Sequence, residues 1–323
     1  MDSLLVRHWI EGPEGQTPFS ITHRLDSLRV GALLTDTAWF NTELLSGPYT
    51  WWFEVNPITE GTADQPEQHR FNNTAFRSFT VEADQENPLL DVSFDGRHIL
   101  DGELISPTPE VRILLRDGNT NLLMDTPQDT SRFKLFVHTP AGMSYPVYFD
   151  QEELEFIPAT GTENRAEAHW NPRFEEDGMY QLMVQAEDRS GNSAGPDYRI
   201  SFEVETEAAI TQVLNYPNPF TSSTRFVFTL TGETVPDELV IQIFTISKVV
   251  REITQDELGL LRIGPNITDF AWDGTDMFGD PLATGVYLYR VIARQGGTDL
   301  SLRASDADPL FQQGIGKMYL IRQ

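Results

Sequence analysis

Short runs in which apolar and polar residues alternate follow one another along the chain. Clear examples are residues 133–137, 180–186, 239–244 and 286–291. A period of two places one face of a strand in a core and the other in water. No window shows the i, i+3, i+4, i+7 apolar spacing of an amphipathic helix. Twenty-three glycines and 20 prolines separate the runs at intervals typical of β-sandwiches. The pattern therefore predicts an all-β protein.

The length of 323 residues favours two or three domains over one. Two polar stretches, 83–88 and 205–209, interrupt the strand pattern and mark candidate boundaries. They predict tandem antiparallel immunoglobulin-like β-sandwiches over 1–84, 85–206 and 207–295. Residues 296–323 form a short C-terminal extension that ends in a closing strand.

Charge and composition exclude several classes of function. The 23 Lys and Arg against 49 Asp and Glu give a net charge of −26, which disfavours nucleic acid and anionic membrane surfaces as partners. The absence of cysteine excludes disulfides, thiolate metal sites and a cysteine nucleophile in these residues. No run approaches the roughly 18 apolar residues that span a bilayer, so the chain is not expected to cross a membrane.

The third unit carries the most specific motif. Residues 214–220 read LNYPNPF, 271–280 read AWDGTDMFGD, and 283–289 read ATGVYLY. This combination resembles the FlgD-like immunoglobulin module that ends many secreted proteins of Bacteroidetes, close to the sorting domain of type IX secretion. The residues that match the motif are Tyr216, Pro217, Asn218, Pro219, Phe220, Trp272, Asp273, Gly274, Gly285 and Tyr287. In the sandwich, Trp272 is expected to plug the core.

The other two units resemble further sandwich families. Residues 172–192 read like a bacterial Ig-like domain, and 53–75 resemble a CARDB adhesion-type sandwich. The whole order resembles the carboxy-terminal region of large PorU-like proteins, which carry a gingipain-type cysteine peptidase domain upstream. This resemblance implies an extracellular or cell-surface chain, attached at the outer membrane, with its signal peptide upstream. It implies partners in the outer-membrane secretion and attachment machinery.

Nothing in the sequence indicates catalysis. The six histidines include no pair within five positions, so the metal-binding spacings HxH and HExxH are absent. The GxSxG, GxGxxG and GxxxxGK[ST] signatures are absent as well. None of the peptidase's catalytic residues has a position here. We therefore expect no enzyme activity and no cofactor from these residues, although paired carboxylates are invisible in a sequence.

Two groups of acids are candidate Ca²⁺ ligands. Asp117, Asn119 and Asn121, with Asp125 further on, match the start of a calcium loop but lack its sixth-position glycine and its glutamate at position twelve. Asp273, Asp276 and Asp280 share one loop of the third unit. In both places the alternative is a set of side chains that cap turns.

Two further segments are candidate interaction sites. Trp51 and Trp52 are adjacent on a predicted strand, so one faces a core and the other is exposed, for sugar stacking or for packing between domains. The last strand could offer its edge to a partner strand. The residues of this docking tail are Met318, Tyr319, Leu320, Ile321 and Arg322.

These observations predict a non-catalytic extracellular tandem that acts as spacer and docking region of a type IX secretion-linked surface protein. The alternative is a surface adhesin or carbohydrate-binding module that binds surface glycans and is stabilised by calcium.

Overall fold

The computed structural model describes residues 3–26, 31, 33–42, 45–59, 61–150, 152–303 and 314–322. Nearly all regular structure is β, with one α-helical turn, α1 (Gln255–Leu258), and 3₁₀ turns at Pro13–Gly15 and Pro127–Arg132. No helix in the described ranges is long and apolar enough to cross a membrane.

The first unit is built on a four-stranded antiparallel sheet of order β2-β1-β3-β6, with a small hairpin of β4 and β5 beside it. Its strands are β1 (Ser3–Glu11), β2 (Phe19–Asp26), β3 (Gly47–Val55), β4 (Ile58–Thr59), β5 (Thr62–Ala63) and β6 (Thr74–Val81). Alternation buries Val6, His8 and Ile10 on one face of β1. Among the described residues this unit has one large sheet, which differs from the two-sheet sandwich predicted over 1–84.

The second unit is a two-sheet sandwich. One sheet has the order β11-β10-β14-β15-β8 and the other β12-β13-β9-β7. The strands are β7 (Leu89–Phe94), β8 (Glu103–Ile105), β9 (Val111–Asp117), β10 (Phe133–His138), β11 (Ser144–Val147), β12 (Leu154–Ile157), β13 (Asn164–Trp170), β14 (Gly178–Ala186) and β15 (Tyr198–Val204). Phe94, Trp170 and Phe202 are fully buried between the sheets, in a core whose members run from Val92 to Val204.

The third unit is a second sandwich with its own core. One sheet has the order β20-β17-β16-β23, and the other β19-β18-β21-β22, with β24 also paired to β21. The strands are β16 (Ala209–Tyr216), β17 (Arg225–Thr231), β18 (Glu238–Phe244), β19 (Val249–Ile253), β20 (Gly264–Ile267), β21 (Gly285–Gln295), β22 (Thr298–Asp299), β23 (Ser301–Leu302) and β24 (Ile315–Leu320). Trp272 and Tyr289 are fully buried in its core.

The predicted C-terminal extension is part of the third sandwich. β23 joins one sheet beside β16, and β24 pairs along its whole length with β21 in the other. Met318 and Leu320 are 0% and 1% exposed within the core. Residues 304–313 and 323 of the predicted extension lie outside the described residues. The remaining residues of the extension therefore complete both sheets of the sandwich.

The second and third units confirm the prediction of an all-β tandem of immunoglobulin-like sandwiches. Among the described residues, pairing is antiparallel apart from two short parallel ladders, β8 with β15 and β16 with β23, and one isolated parallel bridge between Phe220 and Leu320. In both sandwiches the large apolar side chains follow the period of two read from the sequence.

Candidate functional site

Three aspartates converge where the chain passes from the first unit to the second. Asp84 follows β6, Asp117 ends β9, and Asp188 follows β14. One carboxylate oxygen of each lies within 4.8 Å of the others. Asp117 is 7% exposed and Asp188 is fully buried. We call this group the junction cluster.

Neutral side chains hold the carboxylates of the junction cluster in place. Asn119 Nδ2 donates to Asp84 Oδ2 at 2.8 Å, and the backbone N–H of Asn192 donates to Asp188 Oδ1 at 2.8 Å. The side-chain amide of Asn192 spans the junction, because it donates to both Asp188 Oδ2 and the carbonyl of Asp84, at 2.9 and 3.2 Å. The segment that leaves the first unit is thus tied to two turns of the second.

Asp117 is the most constrained member of the junction cluster. Its Oδ2 accepts a hydrogen bond from Asn164 Nδ2 at 2.9 Å, whereas its Oδ1 is buried without a hydrogen-bond partner. Burial raises the pKa of Asp117, and the charges of Asp84 and Asp188 raise it further, although hydrogen bonds from the backbone N–H groups of Asn119 and Gly118 offset part of this rise. A buried carboxylate oxygen without a donor is costly unless a positive group completes its surroundings.

The predicted calcium loop is only partly brought to this site. The structure places Asp117 and Asn119 in or beside the junction cluster. Asn121 instead donates its backbone N–H to Asn119 Oδ1 at 2.9 Å in a turn, and Asp125 forms an ion pair with Arg189 at 3.1 Å. The spacing of the predicted calcium loop therefore does not identify the residues of the junction cluster.

Sequence reasoning did not group Asp84 or Asp188 with Asp117, because they lie 33 and 71 positions from it. Asp188 begins the turn that continues through Asn192, which was a weak local signal. Only the fold brings the three carboxylates together.

The acids of the third unit cap turns. Asp273 Oδ1 accepts from the backbone N–H and the hydroxyl of Thr275, at 3.1 and 2.7 Å. Asp276 Oδ1 accepts from the backbone N–H groups of Phe278 and Asp280, at 2.9 and 3.0 Å. Within the described ranges these acids form no cluster of three metal-ligating groups, so the turn-capping interpretation fits them better.

A second convergence, equally hidden in the sequence, lies on the buried face of the first sheet. His8 Nε2 and His23 Nε2 both contact the carboxylate of Asp36, at 2.7 and 3.1 Å. Hydrogen bonds from the two rings outweigh the effect of burial and lower the pKa of Asp36. Trp51 stacks on His8 with 5.6 Å between ring centroids. The contacts of Asp36 with His8 and His23 hold the segment around Asp36 against the sheet.

The two adjacent tryptophans face opposite sides of the first sheet, but both are half-buried, so the predicted division into one core and one exposed side chain is not found. Trp51 is on the face of His8, whereas Trp52 stacks on Trp9 at 5.7 Å and contacts Phe76 at 5.0 Å on the other face. Phe76 is 66% exposed. We call Trp9, Trp52 and Phe76, which lie side by side on three neighbouring strands, the aromatic ladder.

The 216–220 motif covers the outer edge of β24. Asn218 Nδ2 donates to the carbonyl of Lys317 at 2.9 Å, and Asn218 Oδ1 accepts from the N–H of Tyr319 at 3.0 Å. Phe220 continues the pairing, because it donates to the carbonyl of Tyr319 and accepts from the N–H of Ile321. The prediction that this strand offers a free edge is therefore wrong for residues 317–321, since those groups are already used.

The rest of the motif locks the tail to the core. Trp272 packs on Phe220 and Tyr287 at 5.5 and 5.8 Å. Gly274 has φ +79°, and a Cβ there would lie 2.8 Å from Leu320 Cδ2. Arg322 Nη2 donates to the carbonyls of Asp273 and Gly274, at 3.2 and 2.8 Å.

The remaining motif residues lie at the edges of this arrangement. Tyr216 is 70% exposed, and Pro217 accepts a hydrogen bond from the hydroxyl of Thr224. The bonds preceding Pro217 and Pro219 are both cis. Gly285 begins β21, opposite Leu320. The motif residues that the structure buries are thus structural members of the third sandwich.

Comparison with known proteins finds similarity only among solved structures. The crystal structure of dimeric latent PorU from Porphyromonas gingivalis matches 99% of this chain and 30% of its own, at 13% identity and a TM-score of 0.29. The FN1–FN3 domains of chicken CNTN1 match over 100% and 90%, at 12% identity and a TM-score of 0.19. The C-terminal domain of the AgI/II polypeptide BspA from Streptococcus agalactiae matches over 72% and 99%, at 7% identity and a TM-score of 0.22.

The chain spans less than a third of the PorU chain that it matches. No protein-family model matches the chain, and no curated protein matches it.

Proposed function

We propose that this chain is a non-catalytic, extracellular β-sandwich tandem that serves as spacer and docking region of a larger surface protein linked to type IX secretion. The 216–220 and 271–289 motifs, which resemble the FlgD-like module, support this proposal. The observation that carries the spacer role is the direct bonding between the second and third units.

Backbone groups and charged side chains together join these two units. Ser106 Oγ donates to the carbonyl of Glu233 at 3.2 Å, and Gly232 donates its N–H to the carbonyl of Glu205 at 3.0 Å. Arg303 pairs with Glu205 at 2.7 Å. A spacer needs a fixed angle between its units, and bonds to the backbone on both sides of the joint supply one.

The docking role is proposed for the outer face of the third sandwich, because the edge of β24 is covered. Val286 and Tyr319 are direct cross-strand partners on this face, and they are 53% and 38% exposed. An exposed apolar pair of this kind suits contact with a protein surface.

The docking test uses the native full-length chain in its own cells. We expect Val286→Ser combined with Tyr319→Ser to release the protein from the cell surface into the medium, measured by immunoblotting both fractions. Leu260→Ser, which changes a 97% exposed leucine elsewhere in the same unit, is the matched control. Unchanged retention of the double variant would contradict docking through this face. Deleting the tail is a poorer test, because loss of Met318 and Leu320 opens the core.

The aromatic ladder favours a second candidate function, the binding of surface glycans. Flat aromatic side chains in a row on an exposed sheet can stack against successive sugar rings, because the apolar face of a sugar packs on an aromatic ring. Trp52 Nε1 is held by Glu11 Oε2 at 3.0 Å, which fixes the orientation of its ring.

A glycan array probed with the purified chain tests this function. Binding should fall at least tenfold on Trp52→Ala and remain on Phe71→Ala, since Phe71 is an 87% exposed aromatic residue outside the ladder. Absence of binding by the unaltered chain, with or without calcium, would count against the glycan function and leave the spacer role standing.

A further inference from the structure

We infer that the junction cluster binds one Ca²⁺ ion, which fixes the first unit to the second. The inference goes beyond the spacer role, since it concerns a ligand. Three carboxylates with oxygens within 4.8 Å of one another repel strongly in a partly buried place. An ion at 2.3–2.6 Å from each ligand accommodates oxygens up to roughly 5 Å apart on its opposite sides.

The second observation is the carboxylate of Asp117. Its side chain is more than nine-tenths buried and is directed into the cluster, and its Oδ1 has no hydrogen-bond partner. The donors that the structure shows at the cluster are neutral: Asn164 donates to Asp117 Oδ2, and Asn119 and Ser190 donate to Asp84 Oδ2. The backbone N–H groups of Asn119 and Gly118 also act on Asp117, and they too are neutral. A cation would supply the positive charge that these amides and the hydroxyl do not.

The ligand chemistry identifies the class of ion. The groups that the junction cluster offers are carboxylate oxygens, one from each of the three aspartates. Ca²⁺ takes six to eight such ligands in flexible geometry, whereas Mg²⁺ demands a near-ideal octahedron and retains several waters. A cavity of about 610 Å³ opens beside Asp84 and Asn119, and it gives an ion and its waters access.

The position of the cluster explains what the ion would do. Asp84 lies on the segment that leaves β6, whereas Asp117 and Asp188 belong to the second unit. The ion would therefore bridge the two units. Without it, repulsion among the three carboxylates loosens the joint.

The experiment uses the purified full chain after treatment with a chelator. Isothermal titration with CaCl₂ should show one saturable site per chain, with a Kd of the order of 10⁻⁴ to 10⁻³ M or tighter, as in extracellular modules. The melting temperature should rise by several degrees at 10 mM CaCl₂. MgCl₂ at the same concentration should give a smaller shift.

The variants separate binding from folding. Asp84→Asn changes a partly exposed residue on the connecting segment. This variant should keep the fold, and its affinity for calcium in the titration should fall at least tenfold. Asp117→Asn should do the same, whereas Asp125→Asn should bind as the unaltered chain does. Limited proteolysis at residues 85–88 should slow with calcium only in the unaltered chain and the Asp125 variant. The inference is overturned by the absence of a calcium-dependent shift, by equal effects of MgCl₂, or by a shift that survives in both cluster variants.

Discussion

Glu167 on β13 is the centre of a dense ion cluster on the outer face of the second unit. Its Oε1 accepts from Arg112 Nη2 at 2.7 Å and from Arg165 Nε at 3.1 Å, and its Oε2 lies 2.9 Å from His169 Nε2. Glu167 itself is only 8% exposed. The hydrogen bond from Arg112, together with His169 and the nearby charges, lowers the pKa of Glu167 from 4.5 to about 2. The charged form is therefore favoured in the folded state.

Replacing Glu167 by Gln should lower the free energy of unfolding at pH 7 by up to about 3 kcal/mol. A lowered folded-state pKa stabilises the protein above the unfolded-state pKa. The advantage over the variant should therefore shrink as the pH falls from about 4.5 toward 2. Urea unfolding curves over this range measure it, with the exposed Glu175→Gln as control. A difference that does not change with pH would contradict the assigned ion cluster.

At the scale of the element, the decisive contact is the side chain of Asn218 against the edge of β24. It pairs with the backbone of Lys317 and Tyr319 as a neighbouring strand would. One side chain thereby protects the last strand from other strands, which is a common need of sheet edges.

Asn218→Ala should leave the Tyr319 N–H without its acceptor. The amide of Tyr319 should then exchange with solvent at least tenfold faster, and the free energy of unfolding should fall by about 1–2 kcal/mol. Hydrogen exchange followed by NMR measures the first effect. Ser222→Ala, in the same loop but exposed, should change neither quantity. Equal exchange rates in the two variants would mean that Asn218 does not cover the edge.

The elements themselves were largely predictable, whereas their contacts were not. The alternating runs 180–186 and 239–244 became β14 and β18 within two residues, because a period of two is a local property. The core position of Trp272 also followed from its motif. The cover of β24 by Asn218, the meeting of Asp84 with Asp188, and that of His8 with Asp36 depend on residues 28 to more than 100 positions apart. Such contacts follow from topology, which spacing along the chain does not encode.

At the scale of the whole molecule, the two joints differ in kind. The joint between the second and third units uses backbone hydrogen bonds and ion pairs, including Arg173 with Glu233 and Arg303 with Glu205. The joint between the first and second units is held through the junction cluster and its amides. The joint between the second and third units is therefore expected to keep its geometry without any ion.

Distances between spin labels test this difference, and the absence of cysteine makes labelling clean. Labels at the exposed positions Met143 and Ile246, one in each sandwich, should give a narrow distance distribution with and without calcium. Adding Arg173→Ala and Arg303→Ala should broaden it. A broad distribution in the labelled but otherwise unaltered chain would contradict a rigid spacer.

The position of β24 in the third core also sets the order in which the molecule can be completed. Val204 is the last residue along the chain that belongs to the second core. The third core, which contains Phe220 and Trp272, is complete only when Met318 and Leu320 have been synthesised. Phe220 and Leu320 are bridged across 100 positions. At about 5–20 residues per second, a ribosome needs roughly 5–20 s for that stretch. During this interval the aromatic side chains of the third unit are accessible to proteins that bind the nascent chain. All residues of the second core have by then been synthesised.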